Sequence, residues 1–394
     1  MNPRLLLLTL CQGFFMINNV TFIAINGLVG LQLAPLGWMA TLPIMAYVGG
    51  GALAAPLVAR HQRRFGRKRC FQFGLGVAFV SAALCALAAA LRSFPLLLIA
   101  TVLAGYYNAN GALYRFAAIE VVDVPYKERA ISWVLAGGIL GGVVGPNLAT
   151  ATRDAMAQPF TGAYVALMVV AVLAWLVMRN IEFPPLHAPG TTVVPGRSLR
   201  ELARQPTFVV AIVAAALGYG VMNLLMAATP IAMQQCSHPF SAAALVLEAH
   251  VLAMFVPSFF TGHLIKRFGV LPVMTTGALL NLGCVLFALS GQDVMHFAGA
   301  LATLGVGWNF LYIGGTTLFT ETYRPNERTT AQAAMDTSVL GTMAVTSFSS
   351  GALVTTGGWQ WMNLGALLPI GATALTLLWL VRARATPPAA GTTP

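Results

Sequence analysis

The sequence predicts an all-α membrane protein with twelve transmembrane helices arranged in two six-helix halves. Three observations support this prediction: an apolar composition, basic residues confined to short connecting segments, and a repeat between the two halves. Apolar residues make up 58% of the 394 positions and charged residues only 8%, whereas a soluble domain carries about 25% charged residues. The chain is therefore expected to cross a bilayer many times.

Twelve apolar segments are each long enough for the roughly 20 residues that a bilayer core requires. These segments are 5–33, 37–59, 70–91, 94–119, 130–152, 160–179, 207–232, 241–264, 270–290, 295–319, 329–355 and 360–382. The least apolar connector is 180–206, whose prolines and mixed charge predict a linker. The chain is thus expected to comprise a first half at 1–179, a cytoplasmic linker at 180–206, and a second half at 207–394 that ends in a cytoplasmic tail.

The distribution of the 22 Lys and Arg residues predicts the orientation in the membrane. If the spans alternate in direction, all of these residues except Arg92, Arg115 and Arg153 lie on one side, together with both termini. Since cytoplasmic loops carry an excess of Lys and Arg, this side is expected to face the cytoplasm. Because basic loops on the cytoplasmic side account for the net charge of +11, this charge does not indicate binding to nucleic acid. The expected partner is the lipid bilayer.

A short motif recurs in the two halves at an offset of about 200 residues, as duplicated units require. Arg64-Phe65-Gly66 follows the second span, and Arg267-Phe268-Gly269 follows the eighth. With the twelve spans, these features resemble the major facilitator superfamily, which implies two six-helix bundles and transport by alternating access. The chain departs from the family's loop motif at Arg63, where an acidic residue is usual.

Two residue pairs in the seventh and eighth spans are candidate metal ligands. Met222 and Met226 are four residues apart, as are His250 and Met254, so each pair lies on one face of its helix. Thioether and imidazole groups suit Cu(I), whereas Mg²⁺ and Ca²⁺ prefer oxygen ligands. Core packing is the alternative, because Met is a flexible filler of apolar interiors. A histidine within a span favours a functional site.

Neighbouring residues extend this hypothesis. Met233 and Cys236 lie toward the outer end of the seventh span and are candidates for the path by which the ion reaches the site. Pro230 and Pro257 each remove a helical hydrogen bond near one of the pairs, which predicts a kink in both helices. Asp336, in the eleventh span, is a candidate for proton coupling. Arg115 is expected to extend toward the cytoplasmic interface.

The pairs at Met222, Met226, His250 and Met254, with the residues around them, also resemble those of the CcoA-type bacterial copper importers. This resemblance implies a copper importer of the bacterial inner membrane that serves cytochrome oxidase assembly. Copper would be the transported substrate, with no permanently bound cofactor and with a cytoplasmic copper chaperone as the receiving partner. The four side chains would be its ligands.

Two other functions remain open. A transporter of a small organic solute, such as a drug or a vitamin, would share the fold, and a non-transporting metal sensor would bind the ion without uptake. The absence of a carboxylate from the first span counts against proton-driven drug efflux but not against a vitamin transporter. An enzyme is not expected, because no catalytic triad or phosphate-binding loop is present.

Overall fold

The computed structural model describes residues 3–122, 127–184 and 196–385. Residues 185–195 of the predicted linker and residues 386–394 of the predicted tail lie outside the described residues. Within the described residues the α-helices, numbered in chain order, have the following bounds: α1 Pro3–Leu33, α2 Leu42–Phe65, α3 Arg67–Ala90, α4 Phe94–Gly111, α5 Tyr114–Glu120, α6 Lys127–Thr152, α7 Thr161–Met178, α8 Leu199–Leu202, α9 Pro206–Gln235, α10 Phe240–Phe255, α11 Ser258–Phe268, α12 Val270–Ser290, α13 Val294–Thr320, α14 Arg328–Thr356 and α15 Gly358–Ala385.

The helices correspond to the predicted spans, which confirms the all-α membrane fold. Ten helical segments of the described chain are long and apolar enough to cross a membrane, and the bent pair α10 and α11 gives an eleventh. The place of the fifth predicted span is taken by α6, a helix of 26 residues. The fourth span is divided into α4 and α5 by a short break at Ala112 and Leu113.

The eighth span bends by 41° between α10 and α11, as the position of Pro257 predicts, whereas α9 continues through Pro230 without a break. Asn309 of α13 stabilises the bend, because its amide nitrogen donates to the Met254 carbonyl at 2.7 Å and to the Ser258 hydroxyl at 2.6 Å. Its amide oxygen accepts from the Thr261 hydroxyl at 2.6 Å. Asn309 is therefore a structural residue that satisfies polar groups at the break.

Glycine permits the same tight turn at equivalent points of the two halves. Gly66, between α2 and α3, has φ of 80°, and Gly269, between α11 and α12, has φ of 90°. Side chains disfavour this left-handed region, which glycine enters without steric cost. Arg67, directly after the first turn, forms an ion pair with Glu120 at the end of α5 and donates to Gln62 at 2.8 Å. The repeat read from the sequence thus reflects a repeated turn.

The two halves also repeat their helix packing. In the first half α1 packs on α6, α2 on α4, and α3 on both α4 and α7. In the second half the corresponding pairs are α9 with α14, α10 with α13, and α12 with both α13 and α15. Between the halves α1 packs on α9, α2 on α14, and α6 on α10. The interior therefore lies along the boundary between two similar bundles.

The halves are joined more closely at one end than at the other. We call the end with the loops at Gly66 and Gly269 the basic end. At the opposite end a single buried apolar cluster includes residues of both halves, such as Phe22 and Met226. Toward the basic end each half has an apolar cluster of its own, around Phe71 in the first and Phe319 in the second. The interior between the halves is therefore closed at the opposite end.

Specific contacts close the opposite end. The Thr41 hydroxyl donates to the Ser347 carbonyl at 2.6 Å and accepts from the Gly351 amide at 2.9 Å. These bonds join the start of α2 to α14 across the two halves. The rings of Phe160 and Phe240 meet edge to face with centroids 5.1 Å apart, which joins α7 to α10. A change to an opening at this end has to break these contacts.

Candidate functional site

An aromatic cluster occupies the boundary between the halves at mid-depth. The Trp308 and Tyr312 rings of α13 are stacked, with centroids 5.1 Å apart and an interplanar angle of 10°. Tyr219 of α9 meets both of them edge-on, each at 5.4 Å. Phe255, at the end of α10, lies 6.3 Å from Trp308. Trp308 is buried and the other three rings are half-buried, so the cluster presents aromatic surface to the interior between the halves.

Two hydrogen-bond donors of this region have no partner among the described residues. These are the indole Nε1 of Trp308 and the guanidinium Nε of Arg115, and both atoms are buried. Leaving a buried donor unpaired typically costs about 1–3 kcal/mol, so such groups are normally satisfied by protein, water or a ligand. A ligand that carries hydrogen-bond acceptors on a flat ring would satisfy both donors.

The charges at this site come from both halves. Arg115 of α5 forms a hydrogen bond with Tyr312 and lies near Asp336 and Tyr219, all three in the second half. Arg115 therefore faces the interior, and the expectation that it extends to the interface is wrong, because these polar groups give its guanidinium partners at depth. Asp336 is exposed within α14, and a carboxylate exposed inside a span is tolerated where it faces a water-filled cavity. The positive charge of Arg115 and the negative charge of Asp336 thus balance one another at this site.

The first half contributes polar groups opposite the aromatic cluster. The amide nitrogen of Asn19 in α1 donates to the Tyr47 hydroxyl of α2 at 3.3 Å, and Asn18 is buried beside it. Tyr47 in turn lies near Tyr219 of the second half. The site therefore has an amide and hydroxyl wall in the first half and an aromatic wall in the second.

The sulfur and imidazole groups singled out in the sequence lie in the apolar core. Met222, Met226 and Met254 are buried in the cluster that the two halves share. His250 is fully buried, and its Nδ1 is 2.7 Å from the Leu301 carbonyl of α13. Because a carbonyl can only accept, Nδ1 carries the proton and Nε2 is left as an acceptor, without a partner among the described residues.

The other predicted residues lie apart from the aromatic cluster. Met233 is buried in the shared core, and the half-buried Cys236 follows the end of α9. The Cys236 thiol donates to the Gln292 side chain at 3.6 Å. Within the described chain, no three His, Cys, Asp or Glu side chains are grouped so as to hold a metal ion.

Tyr219, Tyr312 and Arg115 are the site residues that sequence reasoning missed or misplaced. One signal was available, because Trp308 and Tyr312 are four residues apart and therefore share a helix face. Nothing in the sequence pairs either of them with Tyr219 or Arg115, since those contacts cross between distant helices. Two similar bundles around an interior that is closed at one end define this protein as a membrane transporter.

The chain belongs to the major facilitator superfamily. The profile of the Major Facilitator Superfamily matches it at residues 5–249 and 211–394. The riboflavin transporter RfnT of Brucella anthropi is 37% identical over 379 residues, covering 96% of this chain and 95% of that protein. The uncharacterised transporter YddS of Bacillus subtilis is 26% identical, covering 84% of this chain and 80% of its own. A crystal structure of a point mutant of the nucleoside transporter NupG shares the fold, with a TM-score of 0.73, 13% identity, and 96% and 99% coverage.

The prediction of a copper importer is wrong. A relative aligned along nearly the whole chain is a riboflavin transporter, so copper as the substrate, a metal-binding function and a copper chaperone as partner are withdrawn. The physical reason lies in the residue types, because thioethers fill an apolar core as readily as they bind copper. The broader resemblance to the superfamily is confirmed, and the narrower one to copper importers is not. The alternative of an organic-solute transporter agrees better with these findings.

Proposed function

We propose that this protein transports a neutral, flat heteroaromatic vitamin of the riboflavin class by alternating access. The observation that supports the proposal is the stacked pair of Trp308 and Tyr312 beside two buried donors, Trp308 Nε1 and Arg115 Nε, that have no partner among the described residues. The isoalloxazine ring of riboflavin is planar and bears carbonyl oxygens and ring nitrogens that accept hydrogen bonds. Such a ring can extend the aromatic stack while its acceptors meet the free donors.

The remaining walls of the site suit the rest of that molecule. The ribityl chain of riboflavin carries hydroxyl groups that both donate and accept, as the amides of Asn18 and Asn19 do. Riboflavin has no net charge at neutral pH, and the charges of Arg115 and Asp336 balance one another. Sites of this kind combine an apolar lining with a few polar groups that fix orientation.

The packing between the halves supports an alternating-access mechanism. The two halves, 1–179 and 207–394, act in the proposal as rigid bodies that rock about the central site. The two halves share one core at the opposite end, which includes Phe22 and Met226, and have separate cores at the basic end. This packing supports a state that is open toward the basic end. Breaking the contacts of Thr41 with Ser347 and Gly351 would begin the change to the other state.

The distribution of basic residues supports the proposed orientation in the membrane. Because the basic end carries most of the Lys and Arg residues, it is assigned to the cytoplasm, with both termini on that side of a bacterial inner membrane. The protein acts in this proposal as a transporter and not as an enzyme, and the vitamin reaches the cytoplasm unchanged. Import is the proposed direction, because a vitamin is used inside the cell.

Uptake measurements test the proposal. Radiolabelled riboflavin is supplied to cells that cannot make flavin and have no riboflavin importer of their own. These cells carry an empty vector, the wild type, Trp308→Ala or the matched control Trp361→Ala, whose ring is 65% exposed on α15. We expect uptake with the wild type and Trp361→Ala and little with Trp308→Ala. Wild-type protein in the membrane without uptake above the empty vector would contradict the function, and uptake by Trp308→Ala equal to wild type would contradict the site.

A further inference from the structure

A carboxylate within the eighth span forms a hydrogen bond across the boundary between the two halves. The amide nitrogen of Asn147 in α6 donates to Oε2 of Glu248 in α10 at 2.9 Å. The same nitrogen also donates to the Val143 carbonyl of its own helix at 2.7 Å. Glu248 plays no part in the aromatic site described above, and among the described side chains it contacts Asn147.

Close helix packing brings these two side chains together. A Cβ atom added to Gly142 of α6 would lie 2.7 Å from the Val251 side chain of α10, so only glycine allows this approach. On another face of α6, a Cβ on Gly141 would lie 2.3 Å from Met16 of α1. The helix α6 is thus held between α1 and α10, and small residues permit the contact. Asn147, five residues beyond Gly142, then reaches Glu248.

The half-buried carboxylate lies about two helical turns from the end of α10 at the opposite end. Glu248 is eight residues after the start of α10 at Phe240, which at 1.5 Å per residue is about 12 Å along the helix. Asn147 is five residues before the end of α6 at Thr152. An ionisable residue at such a depth is costly and marks a functional site by default. Hydrogen bonding to one neutral amide does not supply a counter-charge.

Among the described side chains, no cation on the helices that pack on α10 is available to neutralise Glu248. The charged and titratable described side chains on α6, α9, α11 and α13, and directly after α6, are Arg153, Tyr219, His263, Lys266, Arg267, His296 and Tyr312. The basic groups among these lie at helix ends, and the tyrosines belong to the central cluster. On α10 itself, His250 is about 200° around the helix from Glu248 and faces Leu301.

We propose that Glu248 binds the proton that drives transport. This inference rests on the proposed function, which identifies riboflavin as the transported molecule. When the halves separate at the opposite end, Glu248 parts from Asn147, meets water and takes up a proton from the outside. Protonation removes the negative charge, so the half-buried Glu248 returns to the helix boundary at a smaller desolvation cost. After closure the proton is released toward the basic end, so that proton entry is coupled to entry of the cargo.

The variant Glu248→Gln separates coupling from structure. A glutamine oxygen still accepts from Asn147, so a purely structural hydrogen bond survives the change, whereas proton binding does not. Purified wild type, Glu248→Gln and the control Asp293→Asn, whose side chain is 89% exposed, are reconstituted into liposomes. Riboflavin accumulation driven by a pH gradient and riboflavin counterflow without a gradient are then measured.

We expect Glu248→Gln to lose accumulation above equilibrium while it keeps counterflow, and the control to keep both. Accumulation by Glu248→Gln equal to wild type would overturn the proposal. Loss of counterflow in folded Glu248→Gln would also overturn it, because the role assigned to Glu248 is coupling alone. Absence of counterflow in the wild type would instead contradict riboflavin as the cargo.

A second measurement does not depend on the cargo. The carbonyl stretch of a protonated carboxyl group is recorded by infrared spectroscopy of the reconstituted protein as the pH is varied. We expect a titrating band in the wild type and in Asp293→Asn that is missing from Glu248→Gln. Identical spectra for the three proteins would overturn the assignment of Glu248 as the proton site.

Discussion

The indole ring of Trp308 lies flat on the phenol ring of Tyr312, with the centroids 5.1 Å apart and the planes 10° from parallel. The two residues are separated by one helical turn of α13, which places both rings on one face. Tyr219 closes the edge of this stack from α9. The arrangement leaves an aromatic surface and an indole N–H without a partner among the described residues at the centre of the protein, which is the basis of the first prediction.

The substitution Trp308→Phe separates the ring from its N–H group. Phenylalanine retains an aromatic face but cannot donate, so one hydrogen bond to the ligand is lost. A net contribution of about 1 kcal/mol corresponds to a roughly five-fold weaker affinity for riboflavin. Quenching of flavin fluorescence by the purified protein measures this affinity. Trp308→Ala should bind more weakly still, and equal affinities of the Phe variant and the wild type would show that the N–H does not contact the ligand.

The charge balance of Arg115 and Asp336 predicts selectivity between riboflavin and its phosphate ester. The wild type should prefer the neutral vitamin, because a phosphate would bring excess negative charge beside Asp336. Asp336→Asn leaves Arg115 without this opposing carboxylate. Since a hydrogen bond to a charged group contributes about 1.5–3 kcal/mol, the affinity for the phosphate ester should rise about ten-fold or more relative to riboflavin. The ratio of the two dissociation constants is the measurement, and an unchanged ratio would contradict the assignment.

The contact between α2 and α4 predicts a position at which even alanine is not tolerated. A Cβ atom on Gly105 would lie 2.3 Å from the backbone of Gly50 and Gly51, whereas one on Gly76 of α3 would meet nothing within 4 Å. Backbone atoms cannot move aside without separating the helices, and overpacking typically costs about 1–3 kcal/mol. Gly105→Ala should therefore lower the melting temperature in detergent, and Gly76→Ala should not. Equal melting of the two variants would contradict the close contact.

Glu327 predicts a pH dependence of stability. Its side chain accepts from the Arg197 guanidinium at 2.8 Å and from the Arg324 amide at 2.9 Å, and these donors hold the pKa of the carboxyl well below its ordinary value. A carboxyl whose folded pKa is lowered stabilises the fold fully above its unfolded pKa, about 4.3 for glutamate. This stabilisation is lost as the pH falls through the folded value.

The substitution Glu327→Gln tests this dependence. The variant should melt at a lower temperature than the wild type at neutral pH, because Arg197 loses its ion pair. The difference between the two proteins should remain constant from neutral pH down to the ordinary carboxyl range and then shrink in stronger acid. Asp293→Asn, which changes a carboxylate whose side chain is 89% exposed, controls for the loss of one negative charge. A difference that already shrinks above the ordinary carboxyl range would contradict the lowered pKa.

Several features could be predicted from the sequence because they depend on local composition. The apolar runs predicted the helices, since a bilayer-spanning segment must satisfy its own backbone hydrogen bonds. The Arg-Phe-Gly repeat predicted equivalent turns, and Gly66 and Gly269 both have positive φ. Pro257 predicted the bend of the eighth span, because proline removes a helical hydrogen bond.

The candidate site could not be predicted in the same way. The pairs at Met222 and His250 have the spacing of a ligand set, yet their chemistry fits core packing equally well. Arg115 and Asp336 are far apart in the sequence, and nothing local indicates that their helices meet. In a soluble protein the apolar face of a helix is the buried one and the polar face is exposed. In a membrane helix both faces are apolar, so the sequence does not distinguish them.

For this protein, then, the sequence by itself determined the spans, the repeat, the orientation expected from the basic loops, and the superfamily. Only the tertiary structure decided that the aromatic rings of Trp308, Tyr312 and Tyr219 form one cluster, and that Glu248 meets Asn147 across the two halves. The physical reason is that lipid and protein interior are similarly apolar, so hydrophobicity specifies that a helix inserts without specifying the direction in which its side chains face.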